Sequence, residues 1–138
     1  MSIKVKLDPE ATFPTKAHPF DAGFDLYSRE EKVIKARGSA IFDTGVHMVI
    51  PKGCVGMLKS KSGLNVKHNL VSEGVVDADY TGSIIVKIYN NGSLDYLVHK
   101  GDKITQIVVM PICVDELEET DKLPWTQRNN AGFGSTGR

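Results

Sequence analysis

Apolar and polar residues alternate with a period of two along most of the chain, the pattern of strands that bury one face. Ile3, Val5 and Leu7 share one side of the first such stretch and Lys4 and Lys6 the other, and Asp8-Pro9 stops it, which predicts a short strand at a sheet edge. A loop through Pro14 and Pro19 leads to Phe20-Asp21-Ala22-Gly23-Phe24-Asp25-Leu26-Tyr27-Ser28, where small residues sit between aromatic anchors and two carboxylates. Residues 33–36 and 40–43, joined by Arg37-Gly38-Ser39, predict a hairpin, and residues 46–50 predict another strand closed by Pro51-Lys52-Gly53. The strand pattern continues over residues 54–59. Residues 64–70 then predict the single short helix, with Ser62 as its N-cap.

The most regular stretch is Gly74-Val75-Val76-Asp77-Ala78-Asp79-Tyr80-Thr81-Gly82, followed by Ser83-Ile84-Ile85-Val86-Lys87-Ile88-Tyr89. Ile84, Val86 and Ile88 recur on one face, so the stretch predicts a strand, a tight turn and a second strand. Asn90-Asn91-Gly92-Ser93 is a further turn, residues 94–99 a strand, and Lys100-Gly101-Asp102-Lys103 a turn before residues 104–110. That last run is apolar on nearly both faces, which predicts a central strand in which Gln106 is the polar exception. Short strands with turn signals about every eight to twelve residues, one helix and no βαβ spacing predict an all-β barrel or sandwich. From Asp115 the chain turns acidic and then polar, and such a tail cannot build a core of its own.

A length of 138 residues suits one domain. Lys plus Arg equals Asp plus Glu at 17 each, so no global basic field draws in nucleic-acid backbone, and any anionic ligand must be met locally. Cys54 and Cys113 lie apart in apolar runs, which reads as two buried free thiols in a reducing compartment. No run approaches membrane-spanning length, so the expectation is a soluble protein of the cytoplasm, or of a host cytoplasm if phage or virus encoded.

Four places carry candidate chemistry. Asp77 sits where an apolar strand ends, so its carboxylate is held on rigid backbone; either it bonds its own turn amides with Asp79, or it is presented for chemistry. Lys61-Ser62-Gly63 combines a cation, a hydroxyl and a glycine at a helix start, which suits a phosphate as well as an ordinary turn. The tail Gly132-Phe133-Gly134-Ser135-Thr136-Gly137, with Arg128 before it, offers an aromatic for a base and a donor fork for phosphate; the alternative is a disordered terminus. His18, His47, His68 and His99 are scattered and form no metal cage, so a metal would arrive as Mg²⁺ on a phosphate ligand, with Asp25 a candidate near it.

Together these stretches resemble the five motifs of the trimeric dUTP pyrophosphatases (dUTPases), in order. Ala22-Gly23-Phe24-Asp25-Leu26 resembles the first, Lys61-Ser62-Gly63-Leu64 the second, Gly74 to Gly82 the third, Gly101-Asp102-Lys103-Ile104-Thr105-Gln106 the fourth, and Arg128 to Gly137 the fifth. The resemblance implies a jelly-roll-like β barrel over residues 1–120 and a flexible arm over 121–138. It implies a homotrimer whose arms are exchanged between subunits. It further implies hydrolysis of dUTP to dUMP and pyrophosphate, with Asp77 as general base and Gln106 helping to position the water. Gly74, Val75, Val76 and Ile85 would read the uracil edge and Tyr80 would pack under the deoxyribose. Lys61, Ser62, Gly63 and Gln106 would hold the phosphates, Asp25 would reach Mg²⁺ through water, and Phe133 would stack on the base while Arg128, Gly134, Ser135 and Thr136 close over the phosphates. Lys61 and Lys103 stand where the family commonly carries Arg, and Ala131 where it carries Gly. Two other readings fit the fold: a dCTP deaminase-like enzyme, for which Glu73 is the nearby glutamate, and a nucleotide-sensing regulatory module.

Overall fold

Every ladder in the computed structural model, which describes residues 2–137, is antiparallel, as strands joined by short turns require. In chain order the elements are β1 (Val5–Leu7), β2 (Gly23–Tyr27), β3 (Lys32–Ile34), β4 (Ser39–Asp43), β5 (Val46–Met48), β6 (Cys54–Lys59), α1 (Ser62–His68), β7 (Leu70–Val76), β8 (Ile85–Asn90), β9 (Tyr96–Val98) and β10 (Lys103–Pro111). Six strands in the order β2-β10-β6-β7-β8-β4 form the main sheet, and the pairs β1-β5 and β3-β9 form two small ones. The main sheet curls into a half-barrel, in line with the all-β barrel or sandwich that the strand pattern predicts and with the jelly-roll-like form that the resemblance implies.

The period of two explains what lies inside. Val86 and Ile88 of β8 are buried at 1% exposure each, and Ile85, one residue out of phase, is 53% exposed. Leu26, Phe42, Leu58, Leu70 and Ile107 join them in one core cluster with Val46 and Met48 of β5. β10 runs between β2 and β6, the central position its two apolar faces predict. At roughly 1.5–3 kcal/mol for each fully buried large apolar side chain, this cluster is the main stabilising term.

Four expectations are corrected. Residues 33–36 and 40–43 do not pair with each other: β3 pairs with β9 and β4 with β8. The turn between them instead carries the chain from one sheet to another, with Arg37 at φ 61° and the Ala36 amide donating to Asp95 Oδ1. The helix begins at Ser62, and Lys61 is the N-cap, without a side-chain cap bond; Asn69 closes it in the left-handed region at φ 57°. Cys54, the first residue of β6, is half-buried, and Cys113 is exposed because the chain has left the sheet after Pro111; both are free thiols. The first strand covers Val5–Leu7 and leaves out Ile3, and it does lie at an edge, paired only with β5. Met1 and Arg138, the outer ends of the expected barrel and arm, lie outside the described residues.

Asn90 shows how a buried polar side chain ties this fold together. At 1% exposure its Nδ2 donates to the carbonyls of Ile34 and Leu94, and its Oδ1 accepts from the Gly92 amide. Replacing it with leucine leaves three main-chain groups unpaired, so Asn90→Leu is expected to lose about 2–5 kcal/mol of stability. Urea unfolding at a fixed protein concentration measures this, and a midpoint equal to wild type would mean that the three bonds are dispensable.

Candidate active site

Strand β7 divides its hydrogen bonding. Its first half pairs with β8, in the register Leu70↔Asn90, Val71↔Tyr89 and Ser72↔Ile88. Its second half pairs with β6, from Lys59↔Glu73 to Gly56↔Val76, while β8 keeps β4 on its other edge, from Ser39↔Tyr89 to Asp43↔Ile85. The two legs of the predicted hairpin therefore part toward its tip. Between them opens a cleft of about 210 Å³ lined by Leu58, Gly74, Val75, Val76, Asp77, Tyr80, Ile84 and Ile85. In an antiparallel strand alternate main-chain groups point to opposite sides. Those of residues 74–76 that turn away from β6 therefore face this cleft.

Asp77 follows the last residue of β7 and is exposed at the cleft mouth. No group among the described residues bonds its carboxylate; only its main-chain carbonyl is used, by the Tyr80 amide at 3.1 Å. Of the two readings of Asp77, the self-bonded turn is thus not the one observed. Tyr80 folds back so that its hydroxyl donates to the Ser83 carbonyl at 2.7 Å. Gly82 makes this possible, since a Cβ there would stand 2.5 Å from that hydroxyl oxygen.

A cation cluster lies beyond the end of β6. Asp25, at 5% exposure, is ion-paired through Oδ1 with Lys61 and through Oδ2 with Lys103 at 3.2 Å. Two ammonium groups on one carboxylate leave a net positive charge, and the bond to Asp25 holds the Lys103 ammonium above the ordinary lysine range. Gln106 pairs across β10 with Asp25 on one side and Lys59 on the other. Its Nε2 donates to the Ser60 carbonyl at 3.0 Å, which supplies the reason for a polar residue in that strand. Along β6 only Lys59 separates Leu58 of the cleft wall from Ser60-Lys61. A pocket whose one charged lining residue is Asp77 and a positive cluster therefore adjoin along β6.

The loop that closes the cleft, residues 77–84, is laced to β4, β5 and the segment between them. Ser83 Oγ donates to Asp43 Oδ1, which Arg29 also meets at 3.1 Å. The Ser83 hydroxyl, first, then the Gly45 amide and Arg29, pull the Asp43 carboxyl below its ordinary range against burial. The Ile84 amide donates to the Val46 carbonyl, and the Thr44 amide to that of Ile84. His47 reaches the Thr81 carbonyl. Asp43, His47 and Ser83 were not among the sequence candidates, because partners about 40 positions apart leave no local pattern.

Other candidates fall elsewhere. Arg128, Phe133, Gly134, Ser135 and Thr136 are exposed and touch neither cleft nor cluster; Arg128 Nε donates to the Ala131 carbonyl within the arm. Ser62 and Gly63 are exposed in the first turn of α1, next to Lys61. Glu73 is exposed, bonds Lys59 at 3.0 Å and does not line the cleft, so the glutamate that a deaminase needs is pointed elsewhere. No helix of the described residues is long and apolar enough to cross a membrane.

A curled antiparallel half-barrel with a main-chain-walled cleft beside a cation cluster has the architecture of a small nucleotide-handling β enzyme. The dUTPase family model matches residues 9–137. A deoxyuridine 5'-triphosphate nucleotidohydrolase of Clostridium acetobutylicum is 40% identical over 141 residues, covering 99% of this chain and 97% of its own. The solved structure of the Staphylococcus bacteriophage 80alpha dUTPase with dUPNHPP matches with a TM-score of 0.93 at 30% identity, covering 99% of each chain. A mutant dUTPase from phage phi11 of S. aureus, solved to show the coordination of a structural Mg(II) ion, matches with a TM-score of 0.82 at 31% identity, covering 88% of this chain and 98% of its own. The chain belongs to the dUTPase family. It is an enzyme of the dUTP diphosphatase class.

Gly23 shows how closely the site is packed. A Cβ built on it would lie 2.3 Å from Gln106 Oε1 and 3.0 Å from Gln106 Cβ. Gly23→Ala is therefore expected to swing the Gln106 amide off the Ser60 carbonyl without unfolding the sheet, lowering dUTP turnover about 10- to 100-fold. Steady-state kinetics check it against Gln106→Ala. If the effect runs through Gln106, the double variant is no worse than Gln106→Ala alone.

Proposed function

We propose that the chain hydrolyses dUTP to dUMP and pyrophosphate, with uracil in the cleft between β7 and β8 and the triphosphate over the Lys61–Asp25–Lys103 cluster. The observation that carries this reading is the parting of β7 from β8, which leaves a main-chain-walled slot with the Asp77 carboxylate, bonded by none of the described residues, at its mouth. Main-chain groups near Gly74, Val75, Val76 and Ile85 read the base. Uracil offers an N3 proton where cytosine has a lone pair, so a carbonyl that meets this edge rejects cytosine by leaving polar groups unpaired. Tyr80 packs under the sugar and leaves no room for a 2′-hydroxyl.

Asp77 takes a proton from a water held with the help of Gln106, and the water oxygen bonds to the α-phosphorus as the bond to the bridging oxygen of pyrophosphate breaks. Lys61, the first-turn residues Ser62 and Gly63, and Gln106 hold the phosphates. Lysine presents a point charge where arginine would present a fork, so phosphate orientation rests more on the main chain. No cluster of three or more His, Cys, Asp or Glu that could hold a metal occurs among the described residues. Asp25 has both oxygens in ion pairs. A carboxylate so engaged has no free oxygen for direct coordination, so Mg²⁺ would be carried in on the triphosphate and Asp25 would reach it through water. Bound so, Mg²⁺ supplies neutralisation of charge on the departing pyrophosphate.

The arm of a neighbouring subunit completes the site, with Phe133 on the base and Arg128, Gly134, Ser135 and Thr136 over the phosphates. Phe133 is fully exposed here, which supports a partner elsewhere than in its own subunit. Three copies, each lending an arm, give a homotrimer. Ordering each arm residue costs roughly 1–2 kcal/mol of backbone entropy, and bound nucleotide offsets it, so the arm closes as a lid.

Incubation with Mg²⁺ and dUTP, dCTP, dTTP or UTP, with product identification, tests the assignment: dUMP and pyrophosphate from dUTP are expected, and deamination of dCTP would replace this reading with the deaminase one. Asp77→Asn is expected to fold and bind dUTP while kcat falls about 10²- to 10⁴-fold. Turnover near wild type would remove Asp77 from the mechanism. Deleting residues 129–138 is expected to leave a trimeric mass in sedimentation equilibrium and to reduce turnover severely. A monomeric mass of the intact chain at full activity would refute the shared site.

A further inference from the structure

The turn that carries Tyr80 is held from behind by a side chain that lines no part of the cleft. His47 lies on β5 between the buried Val46 and Met48, so the alternation of that strand turns its ring outward. Both ring nitrogens are engaged: Nδ1 lies 2.7 Å from the Thr81 carbonyl oxygen and Nε2 3.0 Å from Asp8 Oδ1. Both partners accept hydrogen bonds and neither, with Asp8 ionised, has a proton to give. A neutral imidazole carries one N–H and would turn a lone pair on one of them; only the imidazolium donates to both. Asp8 is itself fixed, because its amide donates to the Gly45 carbonyl at 2.8 Å.

We propose that His47 is a positioning residue for the cleft: in its protonated form it clasps Thr81 to Asp8 and so holds the turn bearing Tyr80 against the body of the protein. Residues 83 and 84 are already fastened by Asp43 and by the Val46 and Thr44 main chain, and Asp77 is anchored from the other leg by the end of β7. The clasp therefore bears on Thr81 and Gly82, the links that join Tyr80 of the cleft wall to the fastened Ser83, and leaves the general base in place. The clasp stands on geometry alone; its effect on substrate rests on the dUTP reading above.

The charged groups that face the ring are few. Asp8 follows β1, Lys6 sits opposite His47 in the β1–β5 ladder, and Lys4 lines the same surface hollow with Lys6 and Thr81. From the loop side the ring's partner among the described residues is the neutral Thr81 carbonyl. That carbonyl first and then Asp8 hold the imidazole pKa above its ordinary value, against burial and Lys6. A pKa raised by folding means that the contribution of the clasp is complete below the unfolded-state value and is lost as pH climbs through the folded one.

Proton NMR of the full chain without substrate, with His47 assigned by His47→Gln, reads the clasp directly. The expected result is a His47 titration above the ordinary imidazole midpoint, Thr81 and Gly82 amide shifts with that same midpoint, and both lowered in Asp8→Asn. In kinetics, KM for dUTP is expected to rise about 2- to 10-fold as pH passes the midpoint, the range one net hydrogen bond supports, with kcat changing less than about twofold. His47→Gln should lose that step; Asp8→Asn, which keeps the imidazole, should shift it to lower pH and serves where His47→Gln fails to fold. A His47 midpoint at or below the ordinary value, or loop amides indifferent to it, overturns the clasp. A KM step unchanged in His47→Gln overturns its positioning role. A protein that shows the coupled titration but turns over no dUTP sinks the activity reading and upholds the clasp.

Discussion

The divided pairing of β7 is the constraint on which the rest depends. A strand has two hydrogen-bonding edges, and β7 gives its first residues to β8 and its last to β6. Had the β7–β8 ladder run on to the turn, Val76 would sit opposite Ile84 and the cleft would be filled by backbone bonds. Instead β8 continues along β4, and buried Ile84, Val86 and Ile88 keep it pinned to the core while its main chain departs from β7. Hydrophobic burial on one face thus sustains an opening on the hydrogen-bonding edge. This is an economical way to present main-chain donors and acceptors on rigid elements.

A second constraint is electrostatic. A nearly buried carboxylate is costly unless paired, and Asp25 is paired twice, with Lys61 and Lys103. The pairings draw both lysines onto the strand ends beside the cleft and set a surplus positive charge in a chain whose formal net charge is zero. Under the proposed function a triphosphate would take over one ammonium and leave Asp25 the other, so the buried carboxylate would never be left bare. Lysine suits this exchange, since a single flexible ammonium moves between partners more readily than a bidentate fork.

Local periodicity made much of this legible. The alternation over Ile84, Val86 and Ile88, the two-faced run of β10 and the Asp–Gly turn after Val76 pointed to the strands, the central strand and the position of Asp77. Gln106 stood out as a polar residue in an apolar strand, and its bond to the Ser60 carbonyl explains it. What failed was long-range. The turn at residues 37–39 looks like a hairpin tip, yet β3 finds its partner more than sixty positions later in β9, because pairing choice depends on sheet order rather than on the turn. His47 and Asp8 were invisible for the same reason: an outward histidine on a strand is unremarkable until the fold sets a carboxylate and a carbonyl against its two nitrogens. Cys113 was misread because an apolar run was equated with burial, whereas the run outlasts the sheet.

The point where the run outlasts the sheet also divides the molecule by stability. The Ile112 amide bonds the Gly53 carbonyl, and after it the main-chain bonds of the described residues stay within the arm, in turns such as Asn129 to Thr126 and Ser135 to Gly132. Ile112, Val114, Leu117, Leu123 and Trp125 lie exposed along it. A segment that buries nothing gains nothing from order by itself, and under the proposed trimer its exposed apolar residues would be covered by another copy. Under the proposed mechanism this division is what the chemistry needs. The base slot and the cation cluster sit on the core, where their geometry persists without substrate. The groups that close over the phosphates sit on the least stable element, so closure draws its free energy from the ligand and reverses when pyrophosphate and dUMP leave.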